Sequence, residues 1–337
     1  MKKFSFVTLF NFFSGMFSRT FKNDDSEAPS AAKGTQMPDY TGIYPDHIRT
    51  VAVITPASYP EPGLFNKGVE LLRAAGLKVK VYPHATMKPD GLEKNSYASI
   101  PVELRAKDFE DAWNDMENDM IICARGGLGS MDLVEKINWE KLLRRPELYL
   151  LGFSDVTMLL CAMYVKGYGR PLAGPSIYSH SGLLPDILPN MKKMLNGEEV
   201  SLKQNPLRGG DCSGGVVAGL LHRYTLVVKA EYGLNNTGKI VIVESVGYNA
   251  KQITSDLDKL LAAGFFDGAV AIVFGEITQT NDKENIDIAL KAFTEKMDIP
   301  VYTGFPFGHS GKNLVVDFAR PACIKNNTII FPAVEKK

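Results

Sequence analysis

The chain of 337 residues has no excess of charge of either sign, with 38 Lys and Arg against 38 Asp and Glu. No run of Lys and Arg is longer than a pair. The basic stripe that neutralises phosphate backbones is therefore missing, which excludes nucleic acid as the main partner. Cysteine is scarce. Cys123, Cys161, Cys212 and Cys323 are scattered without a Cys-x-x-Cys pair, which argues against both a metal site and a disulfide framework. Cys123 and Cys161 sit inside apolar segments, where a free thiol behaves as a small buried hydrophobe. The glycine-rich stretch ARGGLGS (124–130) lacks the third glycine of a dinucleotide fingerprint and the Gly-Lys-Ser/Thr of a phosphate-binding loop.

What is present is ordinary globular material. Hydrophobic residues make up 45% and charged residues 23%, which excludes wholesale disorder, and the length suits about two domains. The exception is the N-terminus. MKKFSFVTLFNFFSGMFSRTF (1–21) pairs two lysines with a Phe-rich stretch, like the charged and apolar regions of a signal peptide, but no cleavage site follows closely. It is short and interrupted for a membrane span. Residues 23–40 turn polar. We read 1–45 as a disordered leader outside the fold. The expected location is the cytoplasm, with export or membrane association through the leader as the alternative.

From residue 46 the pattern becomes regular. VAVITPAS (51–58), a strand near 79–81, MIICA (120–124) and YLLGFS (149–154) are strand-like and alternate with helical segments over 65–75, 104–116 and 155–167. Such alternation predicts a doubly wound parallel sheet over 46–180. A Gly- and Pro-rich stretch reads as a linker over 181–214. A second block over 215–335 holds the strand candidates KIVIVES (239–245) and AVAIVFGEI (269–277), then short ones at 314–318, 321–325 and 328–332. The expected architecture is α/β, with a smaller strand-rich C-terminal domain.

Ligand sites in such folds lie at the carboxyl ends of the strands. Three segments there carry chemistry. ARGGLGS follows MIICA, and its glycines let the backbone turn amides toward a ligand. LLGFSDVT (150–157) places Ser154 between strand and helix, where a hydroxyl can be exposed above the sheet beside the next residue's N–H. Serine there is also a favoured helix cap. GFPFGHSGKN (304–313) holds His309, a side chain suited to general-base work. The carboxylate to orient it could be Glu244 or Glu276, each at a strand end, and position leaves that choice open.

In combination these segments resemble the LD-carboxypeptidases, the murein tetrapeptide carboxypeptidase family that also includes microcin C immunity proteins. The landmarks VAVITPAS, RGGLGS, LLGFSDVT, RPLAGPS (170–176), IVIVES, GYNAKQITSDLDKLLAAGFFD (247–267), AIVFGEI and PFGH occur in the family's order over roughly 48–325. The resemblance implies a serine peptidase that uses neither metal nor cofactor, with its active site between two domains. Ser154 would be its nucleophile, Glu244 its acid and His309 its base. The N–H groups of Gly127 and Asp155 would receive the oxyanion. The implied substrate is a muropeptide tetrapeptide losing its terminal D-alanine, and the implied assembly is a homodimer. Arg125 is our candidate for the substrate carboxylate, because a guanidinium binds it with two hydrogen bonds. The chain departs from the family at Leu128, where Tyr is frequent, and at Val217–Leu221, where Gly-Gly-Asn-Leu is usual. Another peptide-like amide, a phosphate or nucleotide in the 124–130 loop, and non-catalytic peptide binding are the rival readings.

Overall fold

The computed structural model describes residues 38–93 and 95–334. The leader expected over 1–45 lies outside the described residues as far as residue 37. Its last part, however, belongs to the fold. Tyr40, Ile43 and Tyr44 are buried, and the Tyr40 hydroxyl donates to the His180 carbonyl at 3.0 Å. Among the described residues no helix is long and apolar enough to cross a membrane.

The first sheet has six strands: β1 (Thr50–Ile54), β2 (Lys78–Val81), β3 (Met120–Cys123), β4 (Tyr149–Gly152), β5 (Arg170–Ala173) and β12 (Val316–Asp317), in the order β12-β5-β4-β3-β1-β2. All neighbours are parallel except β12, which runs antiparallel to β5. The strand β3, MIIC, is buried at every position, as expected of a strand covered on both faces. The order reverses between β1 and β3, so right-handed crossovers put the helix Pro62–Ala74 on one face and Val102–Asn114, Ser130–Lys136 and Thr157–Lys166 on the other. The crevice at that reversal is where ligands bind in such sheets.

The second sheet has eight strands in the order β6-β14-β13-β8-β9-β10-β11-β7. Its centre is parallel: β8 (Cys212–Leu220), β9 (Lys239–Val246), β10 (Ala271–Thr278) and β11 (Val301–Thr303). The flanks are antiparallel: β13 (Ala322–Lys325) and β14 (Thr328–Phe331) on one side, β7 (Asn205–Arg208) on the other. The strand β6 (Val200–Lys203) pairs with β14, yet only Gln204 separates it from β7 at the opposite edge. One continuous segment thus ties both edges together, so the sheet curls toward a barrel and leaves little free edge.

Two expected boundaries shift. The stretch 181–214 is more than a linker, because it contains the helix Leu188–Leu195 and both edge strands of the second sheet. The pair Val316–Asp317 leaves the C-terminal block and joins the first sheet, where Arg170 Nη2 holds Asp317 Oδ2 at 2.5 Å. One continuous apolar core runs through both sheets. The expected α/β architecture, doubly wound first and strand-rich second, is the observed one.

Candidate active site

Strand β4 ends at Gly152, where a Cβ would lie 2.4 Å from Val156 Cγ1. The chain therefore turns sharply there. Ser154 takes up the turn with φ +62°, in the left-handed region that L-residues enter at a cost. Two bonds hold it: Val156 N–H donates to Phe153 O at 3.2 Å, and Thr157 Oγ1 donates to Ser154 O at 2.7 Å. The Thr157 hydroxyl also accepts from Leu220 N at 3.1 Å, which joins the turn to the end of β8. Neither helical turn that follows has a side-chain capping bond at its N-cap residue, so Ser154 stands at a strained strand-to-helix turn rather than serving as a cap.

The loop after β3 lies against this turn. A Cβ at Gly126 would come 2.8 Å from Ser154 Cβ, and one at Gly127 would come 2.3 Å from Ser58 Oγ, so both positions need glycine. Gly127 also has φ +106°. Each carbonyl from Gly126 to Gly129 is claimed. Gly126 O accepts from Ser58 N, Gly127 O from Arg223 Nη2, Leu128 O from Ser99 Oγ and Gly129 O from Arg105 Nη1. The N–H of Leu128 is also used, donating to Ser58 Oγ at 3.0 Å. The amides of Gly127 and Asp155, in contrast, find no acceptor among the described residues.

From the other sheet comes the imidazole. His309 Nδ1 lies 2.8 Å from Glu244 Oε2. The carboxylate accepts, so Nδ1 carries the hydrogen and Nε2 is left as the basic nitrogen. Glu244 lies near the end of the buried run of β9 and is itself 1% exposed. Burial pushes its carboxyl above the ordinary range, and the His309 partner opposes that rise. A β-bulge between Phe274 and Ile277 distorts the neighbouring β10. There Gly275 lets the Phe307 carbonyl pass close by, and Glu276 N–H donates to that carbonyl at 2.8 Å. The bulge thus aims the 305–309 loop over Glu244. The His309 ring packs on Phe153, with centroids 4.5 Å apart, which puts the imidazole beside the residue preceding Ser154.

Glu276, the other candidate acid, does not reach His309; its Oε2 accepts from the Ser310 hydroxyl. Arg125 sits between the rings of Tyr97 and Tyr178, 5.3 and 5.2 Å from their centroids. Its Nη1 donates to Tyr59 O at 2.9 Å and Ser96 O at 3.2 Å, while Nε and Nη2 donate to no described group. The departures Leu128 and Leu220 both lie in this wall, their N–H groups bonded to Ser58 and Thr157. Among the described residues no cluster of three or more His, Cys, Asp or Glu is arranged to hold a metal ion.

Sequence reasoning missed the supports: Ser58, Arg105, Thr157 and Arg223. Each has a partner far away along the chain, and no linear signal marked them.

Comparison with known proteins adds the following. The sequence pattern described as the LD-carboxypeptidase N-terminal domain matches residues 51–171, and that of the LD-carboxypeptidase C-terminal domain matches 213–324. The chain is 23% identical over 296 residues to the murein tetrapeptide carboxypeptidase of Pseudomonas aeruginosa, covering 83% of this chain and 94% of that protein. Two solved structures share the fold. The muramoyltetrapeptide carboxypeptidase of Oxalobacter formigenes superposes with a TM-score of 0.73 at 20% identity, over 85% of this chain and 100% of that one. An MccF-like protein of Bacillus anthracis gives 0.76 at 19% identity, over 89% and 100%.

Proposed function

Because the chain belongs to the LD-carboxypeptidase family, we propose that it is a serine carboxypeptidase. In this reading it removes the terminal D-alanine from muropeptide tetrapeptides, as peptidoglycan recycling requires. The observation that carries the reading is the convergence of three things. A strained serine lies against the Gly126 loop, two amides find no acceptor among the described residues, and an imidazole oriented by a buried carboxylate packs on Phe153, next to the serine.

The steps follow from the residue types. His309 Nε2 takes the proton of Ser154 Oγ as the oxygen attacks the carbonyl carbon of the bond to D-alanine. Glu244 keeps the imidazole in the Nδ1–H tautomer and offsets the charge of the imidazolium. The Gly127 and Asp155 amides receive the oxyanion, a contribution of roughly 3 kcal/mol per donor in comparable enzymes. The imidazolium then protonates the leaving amine, D-alanine departs, and water hydrolyses the acyl-enzyme with His309 again as base. Arg125 offers its Nε and Nη2 edge to the free carboxylate of the substrate. No step calls on a metal or cofactor.

A panel of defined substrates tests the reading. Incubation with a muropeptide tetrapeptide, the corresponding pentapeptide and a peptidyl-nucleotide amide, read by mass spectrometry, should show loss of one D-alanine from the tetrapeptide. Cleavage of the peptidyl-nucleotide alone would favour the second reading, a hydrolase of another peptide-like amide, which the MccF-like fold neighbour keeps in view.

A further inference from the structure

Arg223 does not touch Ser154 or His309, yet it is 7% exposed and lies against the oxyanion donors. It stands on the helix Leu221–Val227, which starts where β8 ends. Its Nη2 donates to Gly127 O at 3.1 Å, and its Nε lies 2.6 Å from Asp155 Oδ1. Gly127 and Asp155 are the two proposed oxyanion donors, and among the described residues neither N–H has an acceptor. One guanidinium therefore bridges both residues, by a hydrogen bond to the carbonyl of one and an ion pair with the side chain of the other.

This arrangement answers two physical problems. The first is geometric. The donors sit on different loops, after β3 and after β4, and a hydrogen-bond pair is effective only when both amides point at one spot. The planar, rigid guanidinium fixes the spacing between them better than any flexible side chain. The second is electrostatic. Asp155 carries a carboxylate on the residue whose amide must host a developing negative charge. Ser130 engages the other oxygen of that carboxylate, its N–H donating to Oδ2 at 2.9 Å and its Oγ at 2.6 Å. Neither bond cancels the charge. In a water-poor site an uncompensated carboxylate would oppose the oxyanion, and Arg223 supplies the compensation.

We propose that Arg223 is a positioning residue of the oxyanion site, aligning the Gly127 and Asp155 amides and neutralising the Asp155 carboxylate behind them. This rests on the serine-peptidase reading above. It also gives the second sheet a direct role in organising two loops of the first.

The test compares Arg223→Gln and Arg223→Lys with the wild type and Ser154→Ala, using D-alanine release from a tetrapeptide. Folded sites are counted by end-point labelling of Ser154 with a fluorophosphonate. Per labelled site, kcat of Arg223→Gln should fall about 100-fold with KM within about threefold, because the interaction matters in the transition state. The rate of labelling should fall with it. Arg223→Lys keeps the buried charge but reaches only one acceptor, so its kcat should lie between the two, and it serves where the Gln variant does not fold. Wild-type kcat per labelled site in both variants overturns the proposal, as does a loss explained wholly by fewer labelled sites. If Ser154→Ala itself retains turnover, the serine mechanism falls first; if it is inactive while both Arg223 variants match the wild type, only the role of Arg223 falls.

Discussion

At the scale of the residue, Glu244 and Glu276 show what the sequence could and could not say. Both lie near the ends of strands of the second sheet, and position alone left them equal. The structure puts Glu244 2.8 Å from His309 and gives Glu276 to Ser310. Glu244→Gln should lower kcat by about 10⁴, since an amide cannot enforce the Nδ1–H tautomer or offset an imidazolium. Glu276→Gln should cost less than threefold, read in the same D-alanine assay. Ser154 carries a stability signature as well. Its φ of +62° is a strain of about 1 kcal/mol that a β-carbon preserves and glycine relieves. Ser154→Gly should therefore be about 1 kcal/mol more stable than Ser154→Ala by denaturant unfolding, although both lack the hydroxyl. The motifs around Ser154, Glu244 and His309 were legible because each is local. Ser58, Arg223 and the tie from Thr157 to Leu220 were not, because each depends on contact with a segment remote in sequence.

At the scale of the element, the alternating strands and helices were legible from periodicity, and the short strands near the end were placed within a residue or two. The packing of 40–44 was not, since three apolar side chains in a polar stretch carry no period. What holds that segment is His180, buried between Tyr40 and Tyr44. The Ser176 carbonyl, 2.6 Å from Nδ1, can only accept, so Nδ1 keeps its hydrogen and Nε2 accepts from the Tyr44 hydroxyl at 3.0 Å. The ring is neutral, and burial pulls its pKa down from 6.5 to about 4. The sign follows. The unfolded chain takes up a proton that the folded one refuses, so stability is complete above pH 6.5 and is lost as pH falls toward 4. The loss should reach roughly 3 kcal/mol at the acid end. His180→Gln should flatten that part of the stability-against-pH curve; an unchanged slope would locate the acid sensitivity elsewhere.

At the scale of the whole molecule, the proposed reacting groups are shared between two sheets, and the chain is wound so that the sheets cannot separate freely. Ser154 and both amides follow strands of the first sheet. Glu244 lies near the end of β9 in the second sheet, and His309 in the loop after β11. Val316–Asp317 returns to the first sheet, and Thr157–Leu220 and Arg223–Asp155 bind the strand ends to each other. The sequence showed two blocks and implied a site between them. It did not show that 200–208 closes the second sheet or that β12 crosses back, because edge pairings depend on which strands happen to be free. A balanced charge of 38 against 38 also fits this arrangement. A small zwitterionic peptide needs local partners such as Arg125 rather than a global field.

The central claim is that Ser154 attacks the substrate. It is tested most directly by incubating wild type and Ser154→Ala, matched for melting temperature, with one purified muropeptide tetrapeptide and measuring free D-alanine by mass spectrometry. The account predicts release by the wild type and none above background by Ser154→Ala. Turnover by the alanine variant at a rate near the wild type's would contradict it.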